Sequence, residues 1–172
     1  MSNQRFISTF AGTLDGKGRV CIPAPWRSIL AAQETGGVYL CPTLEGGSLD
    51  GFGQVLMDSE CQRLDAMDPF LSEMHDAIAS QISAESMLLP IDENGRVRLP
   101  ENFIAAAGLK DKVVFVGLGR KFQIWDPDTY APVKARRLAA ARAARASFEA
   151  VAKSAESLPV PPVVSAAETG TP

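Results

Sequence analysis

The chain of 172 residues is poor in the side chains on which many enzymes and metal sites depend. It contains one histidine, His75, and three cysteines, Cys21, Cys41 and Cys61. The cysteines stand twenty residues apart, without the closely spaced pairs of structural zinc sites, and we interpret them as reduced thiols. A Cys–His pair for nucleophilic catalysis would require His75 to meet one of these thiols in the fold. The sequence predicts no catalytic residue, no metal site and no cofactor.

Long apolar runs are also missing. The chain has no stretch of 18 apolar residues for a membrane span, and its first six residues, Met-Ser-Asn-Gln-Arg-Phe, lack the apolar stretch of a signal peptide. Gly117-Leu118-Gly119 lacks the third glycine and the following helix of a dinucleotide-binding fingerprint, which favours a hairpin turn there. We therefore expect a cytoplasmic protein without a membrane partner or a small-molecule substrate.

What the chain does contain is an internal repeat. Residues 14–23, Leu-Asp-Gly-Lys-Gly-Arg-Val-Cys-Ile-Pro, return 77 residues later as residues 91–100, Ile-Asp-Glu-Asn-Gly-Arg-Val-Arg-Leu-Pro. Each copy is followed by one aromatic residue, Trp26 or Phe103, whose matched positions favour core packing over contact with bases. Each half is thus one supersecondary unit, and the two halves are expected to pack about a pseudo-twofold axis.

The repeated segment predicts a turn followed by a strand. Asp15 and Asp92 are placed to accept hydrogen bonds from later backbone N–H groups, as in Asx turns, while Gly18 and Gly95 supply positive φ. The alternation after each glycine predicts a half-buried strand that a proline ends. The remaining strands are predicted at Val38–Cys41, Ser48–Phe52, Ser86–Ile91, Val113–Val116 and Lys121–Trp125. The helices are predicted at Pro25–Leu30, Gln54–Met67, Pro69–Ile82, Glu101–Ala107 and Pro127–Ser157, with Gly36-Gly37 and Gly108 ending the first and fourth.

Two copies of Asp-x-x-Gly-Arg with their apolar alternation and proline, followed by Val-Val-Phe-Val-Gly-Leu-Gly-Arg-Lys-Phe-Gln-Ile-Trp-Asp at 113–126, resemble the MraZ family of bacterial transcriptional regulators. The resemblance implies an α+β fold, a pseudo-twofold duplicated swapped-hairpin β-barrel related to AbrB, with peripheral helices and a C-terminal helix. We expect one domain over residues 1–158 and a flexible tail over 159–172. Within the domain, repeat one covers about 6–53, linking helices 54–83, repeat two 84–126 and the C-terminal helix 127–157.

The same resemblance implies double-stranded DNA as the partner. The family is expected to form ring-shaped homo-oligomers that bind short direct repeats in the promoter of the division and cell-wall gene cluster, which implies nucleoid association. The net charge of −3 hides a segregation that suits this function. Residues 1–30 carry four basic side chains against one acid, whereas residues 31–68 carry seven acids against one base. Local potential decides where a phosphate is bound, so the first repeat is the basic region of an acidic protein.

The predicted DNA-binding residues lie in the first copy of the turn. Asp15 shapes the turn, Gly18 keeps it slim, Lys17 reaches a phosphate, and Arg19 presents its planar fork to a guanine edge. In the second copy, Glu93 would meet phosphates with like charge. Arg96 is therefore a weaker candidate, expected to pair with an acid such as Asp15 or Asp92.

Three points stay open. Arg5, beside Phe6, is a second weak candidate, because the family usually opens with Phe-Arg-Gly and this chain has Phe6-Ile7-Ser8. Arg19 could instead form a structural ion pair with an aspartate of the other half. The alternative function is a ring-forming scaffold or protein-interaction module of the antitoxin type.

Overall fold

The computed structural model describes residues 4–68, 70 and 72–156. The strands are β1 Thr9–Thr13, β2 Arg19–Cys21, β3 Val38–Pro42, β4 Ser48–Phe52, β5 Met87–Leu89, β6 Arg96–Arg98, β7 Lys112–Gly117 and β8 Phe122–Trp125. The α-helices are α1 Ala24–Ala32, α2 Gln54–Asp65, α3 Glu73–Ala79, α4 Glu101–Ala107 and α5 Pro127–Glu156. A π-helical turn, Ser80–Ala84, follows α3. The α+β class is confirmed, and the predicted flexible tail at 159–172 falls outside the described residues.

Four strand pairs join the two repeats, while β3–β4 and β7–β8 pair within one repeat. Six strands form an antiparallel sheet in the order β1-β7-β8-β4-β3-β5, in which β1 pairs with β7, β5 with β3, and β4 with β8. The first strand of each repeat therefore lies beside the third strand of the other. The sheet ends at β1 on one side and at β5 on the other. Within the described residues no closed barrel forms, because these short edge strands do not pair with each other, and the barrel expected from the resemblance is corrected to an open sheet.

Strands β2 and β6 form a separate two-stranded ribbon. Val20 pairs with Val97 at its centre, Arg19 lies opposite Arg98, and Cys21 lies opposite Arg96. The ladder extends by one hydrogen bond at each end: the Ile22 N–H donates to the Gly95 carbonyl over 2.9 Å, and the Leu99 N–H donates to the Gly18 carbonyl over 2.8 Å. Equivalent residues of the repeats thus exchange places across the ribbon, which gives it local twofold symmetry.

The core lies between the repeats and is dominated by aromatic side chains. Trp26 and Phe103 are both buried, as their matched positions in the repeats predict. The Trp26 ring lies 4.8 Å from the Phe122 ring and 5.7 Å from the Phe6 ring, centre to centre. Phe6 reaches this cluster because its backbone exchanges two hydrogen bonds with Gly119 in the β7–β8 turn. The N-terminal segment is thereby fixed against the core.

Several predicted helix ends are corrected. Helix α1 ends at the cap residue Gln33, before Gly36-Gly37, whereas α4 does end at Gly108, which adopts a left-handed conformation with φ 59°. Helix α3 begins after Ser72, because the Ser72 hydroxyl accepts the His75 N–H and caps the first turn, and the predicted start at Pro69 lies outside the described residues.

The last helix, α5, begins with Pro127 after the buried Asp126, whose carboxylate accepts the N–H groups of Asp128 and Thr129. Asp126 is therefore the N-cap, and Pro127 stands at the first helical position, where a missing N–H costs nothing. The chain divides into a compact unit that ends at Pro132 and a second unit that begins at Val133. The second unit consists, as far as it is described, of the exposed remainder of α5. None of the helices in the described part of the chain is long and apolar enough to cross a membrane.

Candidate nucleic-acid interface

The first loop, residues 15–19, is organised by the Asp15 carboxylate. Its Oδ1 accepts the backbone N–H groups of Lys17 and Arg19, both over 2.9 Å, and its Oδ2 accepts the Arg19 Nε–H over 2.8 Å. These bonds favour the ionised carboxylate, so the pKa of Asp15 lies below its usual value, with the Arg19 N–H as the largest cause. Gly18 closes the turn with φ 72°. The Asx turn predicted from the sequence is therefore confirmed.

The second loop, residues 92–96, repeats this geometry. Asp92 accepts the N–H groups of Asn94 and Arg96 over 2.9 Å and the Arg96 Nε–H over 3.0 Å, while Gly95 has φ 78°. The pKa of Asp92 is lowered for the same reason, the Arg96 N–H being the first cause. Backbone geometry therefore does not distinguish the two loops.

Each loop aspartate orients the arginine of its own loop. The Asp15–Arg19 and Asp92–Arg96 ion pairs both use only Nε of the guanidinium. Among the described residues, neither arginine makes a further side-chain hydrogen bond, so its two terminal nitrogens remain available to a ligand. The alternative role for Arg19 was an ion pair with an aspartate of the other half. Its ion-pair partner is instead Asp15 of the same loop. The expected pairing of Arg96 with Asp92 is present.

The loops differ at their exposed tips. Gly16 and Lys17 form the first tip, and Glu93 and Asn94 form the second. A slim cationic tip suits a phosphate-lined groove, whereas the carboxylate of Glu93 repels phosphate. The predicted inequality of the two turns is thus a difference between side chains on one shared backbone shape.

The outer face of the β2–β6 ribbon adds a residue that the sequence analysis missed. Val20 and Val97 are buried, so their neighbours on each strand lie on the opposite face. This outer face carries Arg19, Cys21, Arg96 and Arg98. Arg98 is exposed and lies directly across from Arg19. The alternation Arg96-Val97-Arg98 places both arginines on one face, but the repeat along the chain carries no sign that Arg98 lies across from Arg19.

Each loop also rests on a side chain from the helix of the other repeat. A Cβ built on Gly18 would lie 3.3 Å from Ile104 Cδ1, whereas a side chain on Gly95 would collide with the Arg27 guanidinium. Arg27 and Ile104 hold equivalent positions in the repeats. The first loop therefore has a cationic tip above an apolar residue, and the second has an acidic tip above a cation.

The remaining weak candidate lies elsewhere. Phe6 pairs with Gly119 at one end of β1, and the first loop follows Thr13 at the other end. Arg5 is therefore separated from the first loop by the length of β1. The structure brings together Asp15, Lys17, Gly18 and Arg19, adds Arg96 and Arg98 across the ribbon, and leaves Arg5 apart.

The comparisons with known proteins agree on one family. A family model described as "MraZ protein, putative antitoxin-like" matches residues 83–154, which include the second loop, β6 and most of α5. The transcriptional regulator MraZ of Parvibaculum lavamentivorans is 43% identical over 127 residues, which cover 73% of this chain and 78% of that protein. The chain belongs to the MraZ family.

A second MraZ relative extends the similarity over more of the chain. The transcriptional regulator MraZ of Xanthobacter autotrophicus is 38% identical over 152 residues, covering 88% of this chain and 94% of that protein. These MraZ proteins are named as transcriptional regulators, which is not a class of enzyme. In the described part of the chain, no three histidine, cysteine, aspartate or glutamate side chains are grouped so that they could hold a metal ion.

Proposed function

We propose that this member of the MraZ family is a sequence-specific DNA-binding transcriptional regulator that reads DNA with the first loop. The observation that carries the proposal is the Asp15-held Arg19, whose terminal guanidinium nitrogens are open beside the exposed Lys17. The transcriptional-regulator names of the relatives support the same function.

The shape of the surface favours binding in the major groove and contact with base edges there. The major groove of B-DNA admits a two-stranded β-ribbon, and the outer face of β2–β6 is such a ribbon with arginines on it. Arg19 forms a bidentate contact with guanine, because Asp15 fixes the direction of its planar fork. Lys17 contacts a neighbouring phosphate as a point charge. Gly18 lets the backbone approach the groove closely.

One loop makes few contacts. We therefore propose that several copies form a ring, which binds short direct repeats in the promoter of the division and cell-wall gene cluster. Repeated loops on one ring face multiply weak contacts through effective concentration. Support for assembly comes from the edges of the sheet. Met87 and Leu88 on the edge strand β5 are 47% and 45% exposed, and edge strands with exposed apolar side chains favour pairing with other chains.

The duplication is proposed to be a swapped-hairpin arrangement with a pseudo-twofold axis through the β2–β6 ribbon. The exchanged pairs β1–β7 and β5–β3 and the symmetric register around Val20 and Val97 support it. In this arrangement both loops are anchored by the other repeat, so the first loop holds its shape only in the full domain.

A gel-shift assay with the promoter region upstream of the chain's own gene tests the function. We expect a complex that forms on a fragment with intact direct repeats and weakens strongly when the repeats are scrambled at constant composition. Light scattering of the free protein should show a mass several times 18.3 kDa. Equal binding to both fragments would contradict sequence-specific reading, and a monomer at micromolar concentration would contradict the ring.

The second candidate function is a ring-forming scaffold or antitoxin-like module, which the description of the matching family model favours. The difference between the two tips argues for DNA, because a domain that only holds proteins has no need of one cationic and one acidic tip. Assembly without any complex on promoter DNA would establish this second candidate instead.

A further inference from the structure

Arg98 forms an unusual pair with Arg19. The Leu99 N–H donates to the Gly18 carbonyl, so the next pair along the ladder, Arg19 and Arg98, is a non-hydrogen-bonded pair. The Cα atoms in such a pair lie about 4.5 Å apart, closer than in hydrogen-bonded pairs. Like charges directly opposite each other on a sheet are destabilising. The ribbon therefore keeps Arg98 at a cost to the stability of the fold.

No acid on the ribbon offsets this repulsion for Arg98. Both carboxylate oxygens of Asp15 accept donors of the first loop, and both oxygens of Asp92 accept donors of the second. In the described structure Arg98 makes no ion pair or side-chain hydrogen bond, and its side chain is exposed. Arg98 is thus an exposed cation without an acid of its own, beside an arginine whose acid, Asp15, is already engaged, and this favours an anion from outside the chain.

The symmetry of the ribbon shows which loop this anion site serves. Arg98 comes from the second repeat but lies across from Arg19, at the first loop. The equivalent residue of the first repeat is Cys21, which lies across from Arg96 at the second loop. The first loop thus receives an additional cation from the other repeat, and the second loop receives a neutral thiol in its place.

We propose that Arg98 is a phosphate-contacting residue of the first loop, so that the DNA site is composed of both repeats. This inference rests on the proposed DNA binding and assigns to it a residue outside the repeated turn. A phosphate is the contact, not a base, because base reading requires a fixed guanidinium. Asp15 fixes Arg19, but none of the described residues fixes Arg98 by a hydrogen bond or an ion pair. Phosphate accepts arginine from many directions and gives no sequence information.

The test compares Arg98→Ala with the matched variant Cys21→Ala on the full chain. We expect Arg98→Ala to weaken binding to intact and to scrambled repeat DNA by the same factor, about tenfold per engaged subunit. Its log–log salt slope should fall by about one per engaged subunit. Cys21→Ala should bind as the wild type does, and Arg98→Lys should restore most of the affinity, since a point charge suffices for a phosphate.

Thermal unfolding gives a readout independent of DNA. Because the Arg19–Arg98 repulsion is removed, Arg98→Ala should melt at the wild-type temperature or above it, with the gain shrinking as salt is added. Unchanged DNA affinity, a loss confined to intact repeats, failure of lysine to restore binding, or a lower melting temperature would each overturn the inference while leaving the proposed function in place. A wild-type protein that binds no DNA would overturn both.

Discussion

The first and second loops combine one backbone shape with opposite surroundings. Asp15 and Asp92 hold their loops by the same three hydrogen bonds, at nearly the same distances. Lys17 stands at one tip, and Glu93 occupies the other. The comparison teaches that the Asp-x-x-Gly-Arg motif defines a turn and orients an arginine, while the residues around it give each arginine a different electrostatic environment.

The surroundings are exchanged between the repeats. Arg98 of the second repeat lies at the first loop, and Arg27 of the first repeat lies at the second loop. The basic character of residues 1–30 is therefore not confined to one loop, because Arg27 lies against Gly95. Each repeat serves as the support of the other, which gives a physical reason for keeping two copies when only one is proposed to read DNA.

Exchanging the tip charges should have a large effect on DNA affinity. Lys17→Glu gives the first tip the charge of the second, and we expect DNA affinity to fall by at least about tenfold per engaged subunit, because a phosphate contact becomes a repulsion. Glu93→Lys is the matched control and should leave affinity unchanged or raise it modestly. Titration of labelled repeat DNA by fluorescence anisotropy measures both. A larger loss from Glu93→Lys than from Lys17→Glu would reverse the assignment of the loops.

Acid should affect the two loops alike. The pKa values of Asp15 and Asp92 are lowered in the folded protein, so both carboxylates stabilise it above their unfolded pKa. That stability is lost as pH falls through the lowered folded values, below about pH 4. Asp15→Asn and Asp92→Asn should each flatten this acid limb of the stability curve by a similar amount, without changing its course between pH 5 and 8. Chemical denaturation at a series of pH values measures the effect, and a limb altered by only one variant would show that the loops are not equivalent in structure.

Replacing Arg27 should show whether the residue that supports the second loop also contributes to DNA binding. The Arg27 Nε is buried without a hydrogen-bond partner in the described structure, a condition that costs stability. Arg27→Ile copies the Ile104 position of the other repeat, and we expect an unfolding midpoint equal to or above that of the wild type, with a change in DNA affinity below about threefold. A marked loss of DNA affinity in the stable variant would show that the second loop also contacts phosphate.

Chemical modification of the thiols should have the smallest effect on DNA affinity. Cys21 is exposed at the second-loop end of the ribbon, and Cys41 is buried, which raises the pKa of its thiol to about 11. In a Cys61→Ser background, a small neutral alkylating reagent at neutral pH should therefore modify Cys21 and spare Cys41. Modified protein should bind DNA within about twofold of the unmodified protein, since the first loop carries recognition. Mass spectrometry and anisotropy together measure this, and modification that abolishes binding would extend the recognition surface to Cys21.

Local features of the sequence were enough to predict much of the fold. The Asx turns, the positive φ of Gly18 and Gly95, and the buried Trp26 and Phe103 follow from short-range chemistry and the repeat. The order of the strands and helices after the first turn was predicted in the same way, whereas β1 was not predicted. Contacts between the repeats were not predictable in the same way. The contact of Arg27 with Gly95 depends on how the two halves pack. The two residues are far apart in the chain, and no sequence pattern marks their contact.

Two further differences between prediction and structure have separate causes. The first helix ends at Gln33 although glycines follow at 36 and 37, because a helix can close on its own backbone before a glycine is reached. The open sheet differs from the barrel that the resemblance implied because closure depends on pairing between β1 and β5. Arg98 was overlooked for the opposite reason: its alternation was visible, but its neighbour Arg19 lies 79 residues away in the chain.

The central claim is that the first loop reads DNA and the second does not, and the paired variants Arg19→Ala and Arg96→Ala test it most directly. Both remove an arginine held by its own aspartate, so their costs to folding should match. We expect Arg19→Ala to lose about 1–3 kcal/mol of discrimination per engaged subunit and to abolish recognition of the repeats, while the oligomer persists in light scattering. Arg96→Ala should bind nearly as the wild type does. Equal affinities for the two folded variants, or a greater loss from Arg96→Ala, would contradict the account.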